Sequence, residues 1–493
     1  MAPTLNADRH SYPALPLAAV LTGTGGELVG PLAPGTIFPR IERNSRLVAR
    51  GDLFLAIRGD RLDGHAFVTE AAERGAAAAL VARDWIAAAG SPPLPVIVVD
   101  DTVAALQRWA RAHRLALPMS VVGITGSVGK TSTKEVVAAV LGQRFTTYRS
   151  PGNLNTEIGL PLSLLETGPR TDVAVLEMGG AYAFGELTLL ASIAQPNIAV
   201  VTNVFPVHLE RMGSIEAIAE TKAELVDAVP ADGAAVLNGD DHRVRAMAAR
   251  CRGRVVTYGL TPNSEVWASQ VSTEALEGTS FWLHLAGDRL HVRVPLVGGH
   301  AVQLALAALA VGHAMGMHVS EMLPGFDEPA IQVRLLVQPG PHGSRLIDDT
   351  YNASTPSMLS ALSLLADLRR GNRYRRAIAV LGDMRELGSL AEGEHRVVGR
   401  RAGEVADVVL TYGELARIIA EEARKARHVD GRAPDVTSFG LDQRGELVDH
   451  LQELLREGDV VLLKGSRGLL MEEMVAALRD DAGSAGGGSD RPV

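Results

Sequence analysis

The densest chemistry in the chain lies between residues 120 and 141. An apolar stretch, Ser120–Ile124, runs into Thr125-Gly-Ser-Val-Gly-Lys-Thr131 and then into a helical pattern over Lys134–Leu141. Strand, glycine-rich turn and helix in that order let backbone N–H groups approach a phosphate chain, and the helix N-terminus adds its partial positive charge. In such a loop Lys130 reaches the β and γ oxygens of a nucleotide and the Thr131 hydroxyl ligates Mg²⁺. Thr125, Gly126, Ser127, Val128, Gly129 and Ser132 complete the expected cradle. The strict phosphate-loop pattern asks for glycine at 124, where Ile124 stands, and the glycine sits at 126 instead. The strand–turn–helix context therefore carries the reading, and it establishes nucleotide binding rather than a particular reaction.

Further candidates stand at the ends of other apolar runs. Glu177 closes the strand Asp172–Leu176 and precedes Met178-Gly179-Gly180, a position from which a carboxylate can hold Mg²⁺ directly or through water. His208 follows the run Ile198–Asn203, beyond the carboxyl end of a strand, where ligand contacts concentrate in open α/β sheets. Alone, Glu177 reads equally well as a solvent-facing strand end and His208 as a structural histidine. Lys222, within a helical pattern, reads alone as an exposed lysine.

Such strand-end residues need parallel strands to gather them, and the pattern supplies these. From about residue 37 to 100, short strand-like pieces (Leu53–Ile57, Ala78–Val81, Val96–Val99) alternate with alanine-rich helical stretches. A helix over Val103–Leu117 then leads to Pro118, a plausible boundary because the residue before proline resists helix. Buried strands are expected at Ser120–Ile124, Asp172–Met178, Ile198–Asn203 and Ala234–Asn238, an antiparallel insertion at 262–295, and a helix at Val302–Met315. A third α/β region places strands at Arg345–Ile347, Ala377–Leu381, Val408–Tyr412, Val436–Phe439 and Val460–Leu463, and reads as an open doubly wound sheet. The expected division is residues 1–117, 118–333 and 334–493, with a disordered Gly/Ser/Asp-rich tail from about 480.

Composition closes off other classes. The 493 residues are 46% hydrophobic and 21% charged, enough for several sizeable cores. The net charge of −9 opposes a duplex-binding role, and the arginines at 369, 370, 373, 375 and 376 read as a solvated helix end. One cysteine, Cys251, excludes an internal disulfide framework and fits a reducing compartment. The apolar segment Ala14–Leu21 lacks a basic start and a cleavage site, and no run approaches the roughly 20 residues of a membrane helix.

Taken in order, the motifs resemble the Mur ligase family. They are Thr125–Thr131, Asn153-Leu-Asn-Thr-Glu-Ile-Gly159, Leu176-Glu-Met-Gly179, His208-Leu-Glu210, Lys222, Leu237-Asn-Gly-Asp-Asp241 and His300. Arg334, Asp348-Asp-Thr-Tyr-Asn-Ala353, Leu381-Gly-Asp-Met-Arg-Glu-Leu-Gly388 and Lys464-Gly-Ser-Arg467 follow. Gly51-Asp-Leu-Phe54, Arg58-Gly59 and Asp63-Gly-His65 are similar to the family's UDP-sugar domain, so the match spans about residues 37 to 475. The resemblance implies an α/β chain of three domains: an N-terminal UDP-sugar-binding domain, a central phosphate-loop ATPase-like domain and a C-terminal Rossmann-like domain.

Within the family, Asp348–Ala353 and Leu381–Gly388 point to the branch joining D-alanyl-D-alanine to UDP-N-acetylmuramoyl-tripeptide. The implied chemistry is activation of the tripeptide carboxylate by ATP as an acyl phosphate, followed by attack of the dipeptide amine. Lys130, Glu177, His208 and Lys222 are the implied catalytic group. Thr131, Glu177, His208 and a carbamoylated Lys222 would hold Mg²⁺. Asn238, Arg334 and Asp349 would contact nucleotide, while Asn155, Thr156, Tyr351 and Asn352 would face the peptide substrates. Lys464, Ser466 and Arg467 would close over substrate. A cytoplasmic monomer that binds neither nucleic acid nor membrane is expected.

Four departures from the family pattern are present. Ala301 and Gln303 replace two asparagines, Val333 replaces a glycine before Arg334, and the proline of Ser354-Thr-Pro-Ser357 is displaced by one. They imply altered nucleotide affinity with the catalytic group intact. Two other readings stand beside the main one: a sibling ligase with another amino-acid acceptor, such as the folate-glutamate type, and a non-catalytic scaffold for wall synthesis.

Overall fold

In the computed structural model, the described residues are 13–59, 62–152, 154–180, 183–207, 209–274, 278–296, 300–328, 336–370, 374–428 and 431–484. His208, Arg334, Val333 and Asn153 lie outside them. Three α/β units follow one another along the chain.

In the first unit, Ile41–Glu42, Leu53–Leu55, Ala78–Ala82 and Val96–Val99 pair in parallel, and Glu27–Val29 joins the edge antiparallel. All five side chains of Ala78–Ala82 are buried, as strands covered on both faces require. The helix Thr102–Ala116 begins where the Asp101 carboxylate accepts the Ala104 N–H.

The central sheet has nine strands. Six run in parallel in the order Thr147–Arg149, Val173–Glu177, Ser120–Thr125, Ile198–Val201, Ala234–Asn238, Arg254–Gly259. Val266–Glu274 continues in parallel, and Gly278–Leu285 and Asp288–Val294 complete the expected antiparallel insertion. The phosphate-loop strand thus lies mid-sheet, where the chain turns first to one side and then to the other, the place where α/β sheets open a binding crevice.

The C-terminal sheet places Arg345–Asp348, Asp459–Lys464, Arg376–Gly382, Val408–Tyr412 and Asp435–Phe439 in parallel, with Leu336–Pro339 antiparallel at the edge. Hydrophobic clusters on both faces make it the expected doubly wound sheet. The expected disorder from 480 is corrected in part. The last helix, Glu472–Ser484, runs through Asp480 and Asp481, because it is seated by buried Met474, Val475 and Leu478 and its last turn tolerates polar residues. Residues 485–493 lie outside the described set.

The units are joined unequally. One hydrophobic cluster contains Leu17, Phe38, Leu55 and Trp109 of the first unit together with Leu160, Leu176, Leu187 and Leu225 of the second. Arg114, only 7% exposed, donates from its guanidinium to the carbonyls of Ala194, Gln195 and Leu117 and to Asn197 Oδ1. The clusters of the C-terminal unit contain no residue of the central one. Among the described residues, no helix is long and apolar enough to cross a membrane.

Candidate functional site

The phosphate loop is built by its neighbours. Ile124 is fully buried mid-strand beside Glu177, which is why the strict pattern fails there. Gly126 takes φ 149°, and a Cβ at that position would stand 1.9 Å from Thr202 Oγ1, so glycine is required there, two residues later. The helix begins at Lys130 itself, four residues before the expected start, with Gly129 in the left-handed conformation at its N-cap. The strand-end residues after Val201 fix the loop. Asn203 Oδ1 accepts the Val128 N–H at 2.9 Å and its Nδ2 donates to Val128 O at 3.0 Å. Ser127 Oγ donates to Phe205 O and accepts the Phe205 N–H. Thr202 Oγ1 also donates to Val128 O.

Lys130 Nζ donates to the carbonyls of Gly126 (2.9 Å) and Ser127 (3.3 Å), curled back over its own loop. Burial pushes its pKa down, while the carboxylates of Glu177 and Glu186 push it up. Thr125, Ser127 and Thr131 are buried, and Ser132 is half-buried on the same first turn.

Glu177 is 3% exposed, which excludes the solvent-facing reading. Its Oε1 accepts from Asn155 Nδ2 at 2.8 Å, whereas Oε2 is buried with no partner. A buried, half-satisfied carboxylate is costly unless a ligand completes it. Thr131 and Glu177 therefore suit a Mg²⁺ ion, which takes one or two carboxylates and fills its remaining positions with water and nucleotide oxygens. Among the described residues, no three His, Cys, Asp or Glu side chains gather as a metal cage.

Lys222 is not the exposed helix lysine its local sequence suggests. It lies on the helix Ile215–Asp227, 3% exposed, with Nζ donating to Gly180 O at 3.2 Å. Burial and the nearby Lys130 charge lower its pKa to about 7, against the opposing pull of Glu186 and Glu224. Glu224, two residues on and also buried, accepts the N–H groups of Gly185 and Thr188 and the Thr188 hydroxyl. It thereby caps the helix Glu186–Ala194 from outside.

Asn238 closes its strand, 9% exposed, with Nδ2 donating to Thr202 O and Oδ1 accepting the Asp240 N–H. Its amide is thus spent on the loop, and it lines the cleft as a wall. Thr156 Oγ1 accepts the Gly159 N–H at the start of the helix Gly159–Leu165, and Asn155 serves Glu177. Of the departures, Ala301 is buried packing, while Gln303 Nε2 donates to Asp240 Oδ2 at 2.7 Å. The displaced Pro356 falls in the first turn of the helix Thr355–Arg370, where proline is tolerated.

Facing this machinery across a cleft of about 1490 Å³ stand Asp349, Tyr351, Asn352, Lys464, Ser466 and Arg467. Lys464, 2% exposed, pairs with Asp349 Oδ2 at 2.8 Å and donates to Asn352 O at 2.9 Å. Arg467 lies over the half-exposed Tyr351 ring, 5.2 Å from its centre. Ser466 Oγ accepts the Arg385 N–H. His300 reaches across to the Pro356 backbone, and its pKa is lowered mainly by burial.

Lys130, Thr131, Asn155, Thr156, Asn238, Asp349, Tyr351 and Asn352 thus line one cleft, while Glu177 and Lys222 are buried and bonded to its lining residues Asn155 and Gly180. Asn203, Glu224, Lys134 and Asp241 were missed. Asp241 before the helix His242–Ala246 carried an N-cap signal, and its carboxylate accepts the N–H groups of Arg243, Val244 and Val204. Asn203 carried one as the terminal residue of an apolar run. Lys134 and Glu224 carried none, because both read as ordinary helix-surface residues.

The chain matches three family descriptions in sequence: Mur ligase family, catalytic domain, at residues 40–114; Mur ligase middle domain at 124–312; and Mur ligase, glutamate ligase domain, at 334–467. It is 36% identical over 457 residues to the UDP-N-acetylmuramoyl-tripeptide–D-alanyl-D-alanine ligase of Bacillus subtilis (strain 168), covering 92% of this chain and 96% of that protein. Its fold is similar to a crystal structure of MurF from Acinetobacter baumannii, with TM-score 0.80, 28% identity, and coverage of 95% and 100% of the two chains. It is also similar to the MurF ligase of Thermotoga maritima in complex with ADP, with TM-score 0.73, 28% identity, and coverage of 90% and 98%.

Proposed function

We propose, from the premise that this chain belongs to the Mur ligase family, that it joins D-alanyl-D-alanine to UDP-N-acetylmuramoyl-tripeptide with cleavage of ATP to ADP and phosphate. The acceptor assignment rests on similarity along nine-tenths of the chain to ligases named for that reaction. The observation in the fold that carries it is the half-satisfied Glu177 carboxylate beside a phosphate loop, bonded to Asn155 in the wall of a cleft whose other side carries Asp349, Tyr351 and Lys464.

In the first step a carboxylate oxygen of the tripeptide attacks the γ-phosphorus and the bond to ADP breaks, giving an acyl phosphate. In the second, the dipeptide amine attacks the acyl carbon, phosphate leaves, and the amine loses its proton as the C–N bond forms. Both steps gather negative charge, so the site needs positioned cations and donors rather than a covalent nucleophile. Lys130 and the loop N–H groups supply these toward the phosphates. Thr131, Glu177 and His208 would hold Mg²⁺, which neutralises phosphate charge when bound. Asp349 and Arg334 are assigned to the nucleotide, Asn155 and Thr156 to the muramoyl-peptide side, and Tyr351 and Asn352 to the acceptor side. The reaction is assigned to a cytoplasmic monomer.

Lys222 is assigned as a carbamoylated lysine. Its burial, its place behind Gly180 and its lowered pKa all favour a neutral amine, the form that combines with CO₂. Carbamate formation should rise as pH passes upward through about 7. Removal of CO₂ is expected to depress activity and bicarbonate to restore it, with Lys222→Ala insensitive to both. A bare amine by intact mass under CO₂ would refute the assignment. The function itself is tested by ADP release measured against a panel of amino acids and dipeptides. Release requiring the UDP-tripeptide and D-alanyl-D-alanine together is the expected result; preference for a single amino acid would move the chain to a sibling ligase.

A further inference from the structure

Lys134 sits one turn into the phosphate-loop helix, yet its side chain is fully buried. Its ammonium turns away from the phosphate site and donates to the carbonyls of Ser150 and of Gly152, the latter at 3.0 Å. Glu135 Oε1 stands 3.1 Å from the ammonium, and Glu135 Oε2 pairs with Arg149 at 3.0 Å. The strap that starts at Ser150 leads to Asn155 and Thr156. It is tied at two further points to the strand bearing Glu177: Ser150 Oγ accepts the Glu177 N–H at 3.3 Å, and Asn155 O accepts the Gly179 N–H at 2.8 Å. The fit is close, since a Cβ on Gly179 would stand 2.8 Å from Asn155 O. The phosphate helix, the strap and the Glu177 strand therefore form a closed loop of contacts, and Lys134 supplies the link between helix and strap.

We propose that Lys134 is a positioning residue that couples the phosphate loop to the acyl-substrate strap, fixing through Ser150 and Gly152 where Asn155 holds Glu177 and where Thr156 stands. The chemical reason for a lysine is reach and multiplicity: one ammonium serves two inward-facing carbonyls and a carboxylate at once. An apolar replacement leaves the carbonyl of the buried Ser150 without this donor and releases Gly152. The proposal rests on the ligase reading for the identity of the acyl substrate, but the mechanical link does not.

The test uses the full-length protein and Lys134→Met. Hydrogen exchange of residues 150–158 is expected to accelerate, and ADP affinity by calorimetry to stay within about twofold. The value of kcat/KM for UDP-muramoyl-tripeptide should fall about 10–100-fold, the range for losing a partner that orients a functional group. Lys134→Gln, which keeps a donor able to reach one carbonyl, should recover part of that loss. Unchanged exchange in 150–158, or a loss of ADP affinity matching the loss in kcat/KM, would overturn the proposal, the second by making Lys134 a phosphate-site cation. Should Lys134→Met fail to fold, Lys134→Gln and Glu135→Gln are read by the same exchange experiment, with the same outcomes deciding. A wild-type chain without tripeptide-dependent ADP release would defeat the ligase reading and leave the exchange result standing.

Discussion

The two seams between the units differ in kind. Between the first and second units, one apolar cluster crosses the boundary, with buried Trp109 of the first in one cluster with Leu160, Leu187 and Leu225 of the second. Between the second and third, the described contacts are polar: His300 reaches the Pro356 backbone, Gly388 N–H donates to Glu210 Oε1 at 3.2 Å, and Arg211 lies 3.6 Å from Glu386. A large apolar seam holds two units as one body, whereas a small polar seam leaves relative motion as the default. The phosphate loop, Glu177 and Lys222 thus lie on the side joined through the apolar seam, and Tyr351, Lys464 and Arg467 on the side joined through the polar one. The chemistry is prepared on one side of the cleft and completed from the other, as expected where closure shields a reactive intermediate from water.

The most damaging way to break this contrast is to hollow the apolar seam. Trp109→Ala should cost about 3–5 kcal/mol, as buried aromatic truncations do. In urea, the first two units should unfold together at lower concentration while the C-terminal unit keeps its midpoint. Separate midpoints for the first and second units would deny that they are one body. Next in size, Glu177→Gln should lower kcat about 10²–10³-fold, the scale of losing one preorganised electrostatic group. Both unfolding midpoints should hold, because Glu177 spends only one oxygen on the fold.

Strands were legible in the sequence on both sides of the cleft. Ala234–Asn238 and Val408–Tyr412 appear at their expected bounds, because continuous apolar runs between turn residues leave little choice of element. Thr147–Arg149 and Arg254–Gly259 were not foreseen. The first is three residues of mixed polarity at the sheet edge, and the second has its arginine and threonine on positions a core strand would fill with apolar residues. At the site, strand-end residues were found because sheet topology concentrates ligands there. The tethers were not: Asn155 as the holder of Glu177, Asn203 as the clasp of the loop and Lys134 as the anchor of the strap all depend on distant partners. Ile124 shows the limit of a motif, since the position it departs from is strand interior and the steric demand for glycine falls at Gly126.

The polar seam should yield smaller effects that reveal its purpose. Glu210→Gln and Arg211→Gln should each change kcat/KM for the dipeptide less than about fivefold, since exposed pairs are worth ~0.2–1 kcal/mol. ADP affinity should not move, and the difference from wild type should shrink in high salt. An equal effect on ADP binding would mean that the seam shapes the nucleotide site rather than closure.

The smallest expected effect lies within the C-terminal unit and is read by pH. His395 is fully buried; its Nδ1 donates to Ala391 O at 2.6 Å and its Nε2 accepts the Met384 N–H at 3.0 Å. That tautomer is neutral, and burial holds the folded pKa below the usual 6.5. Between the folded value and 6.5, the unfolded chain binds more protons than the folded one. The histidine's contribution is therefore fully present above about 6.5 and is lost as pH falls through the folded pKa. Protonation would turn the Nε2 acceptor into a donor facing the Met384 N–H, loosening the Asp383–Gly388 turn that meets Glu210. The C-terminal unfolding midpoint should decline with acid more steeply in wild type than in His395→Gln. Parallel slopes would place the acid sensitivity elsewhere and leave the turn held by Asp383, whose carboxylate accepts the Ala416 N–H at 2.7 Å.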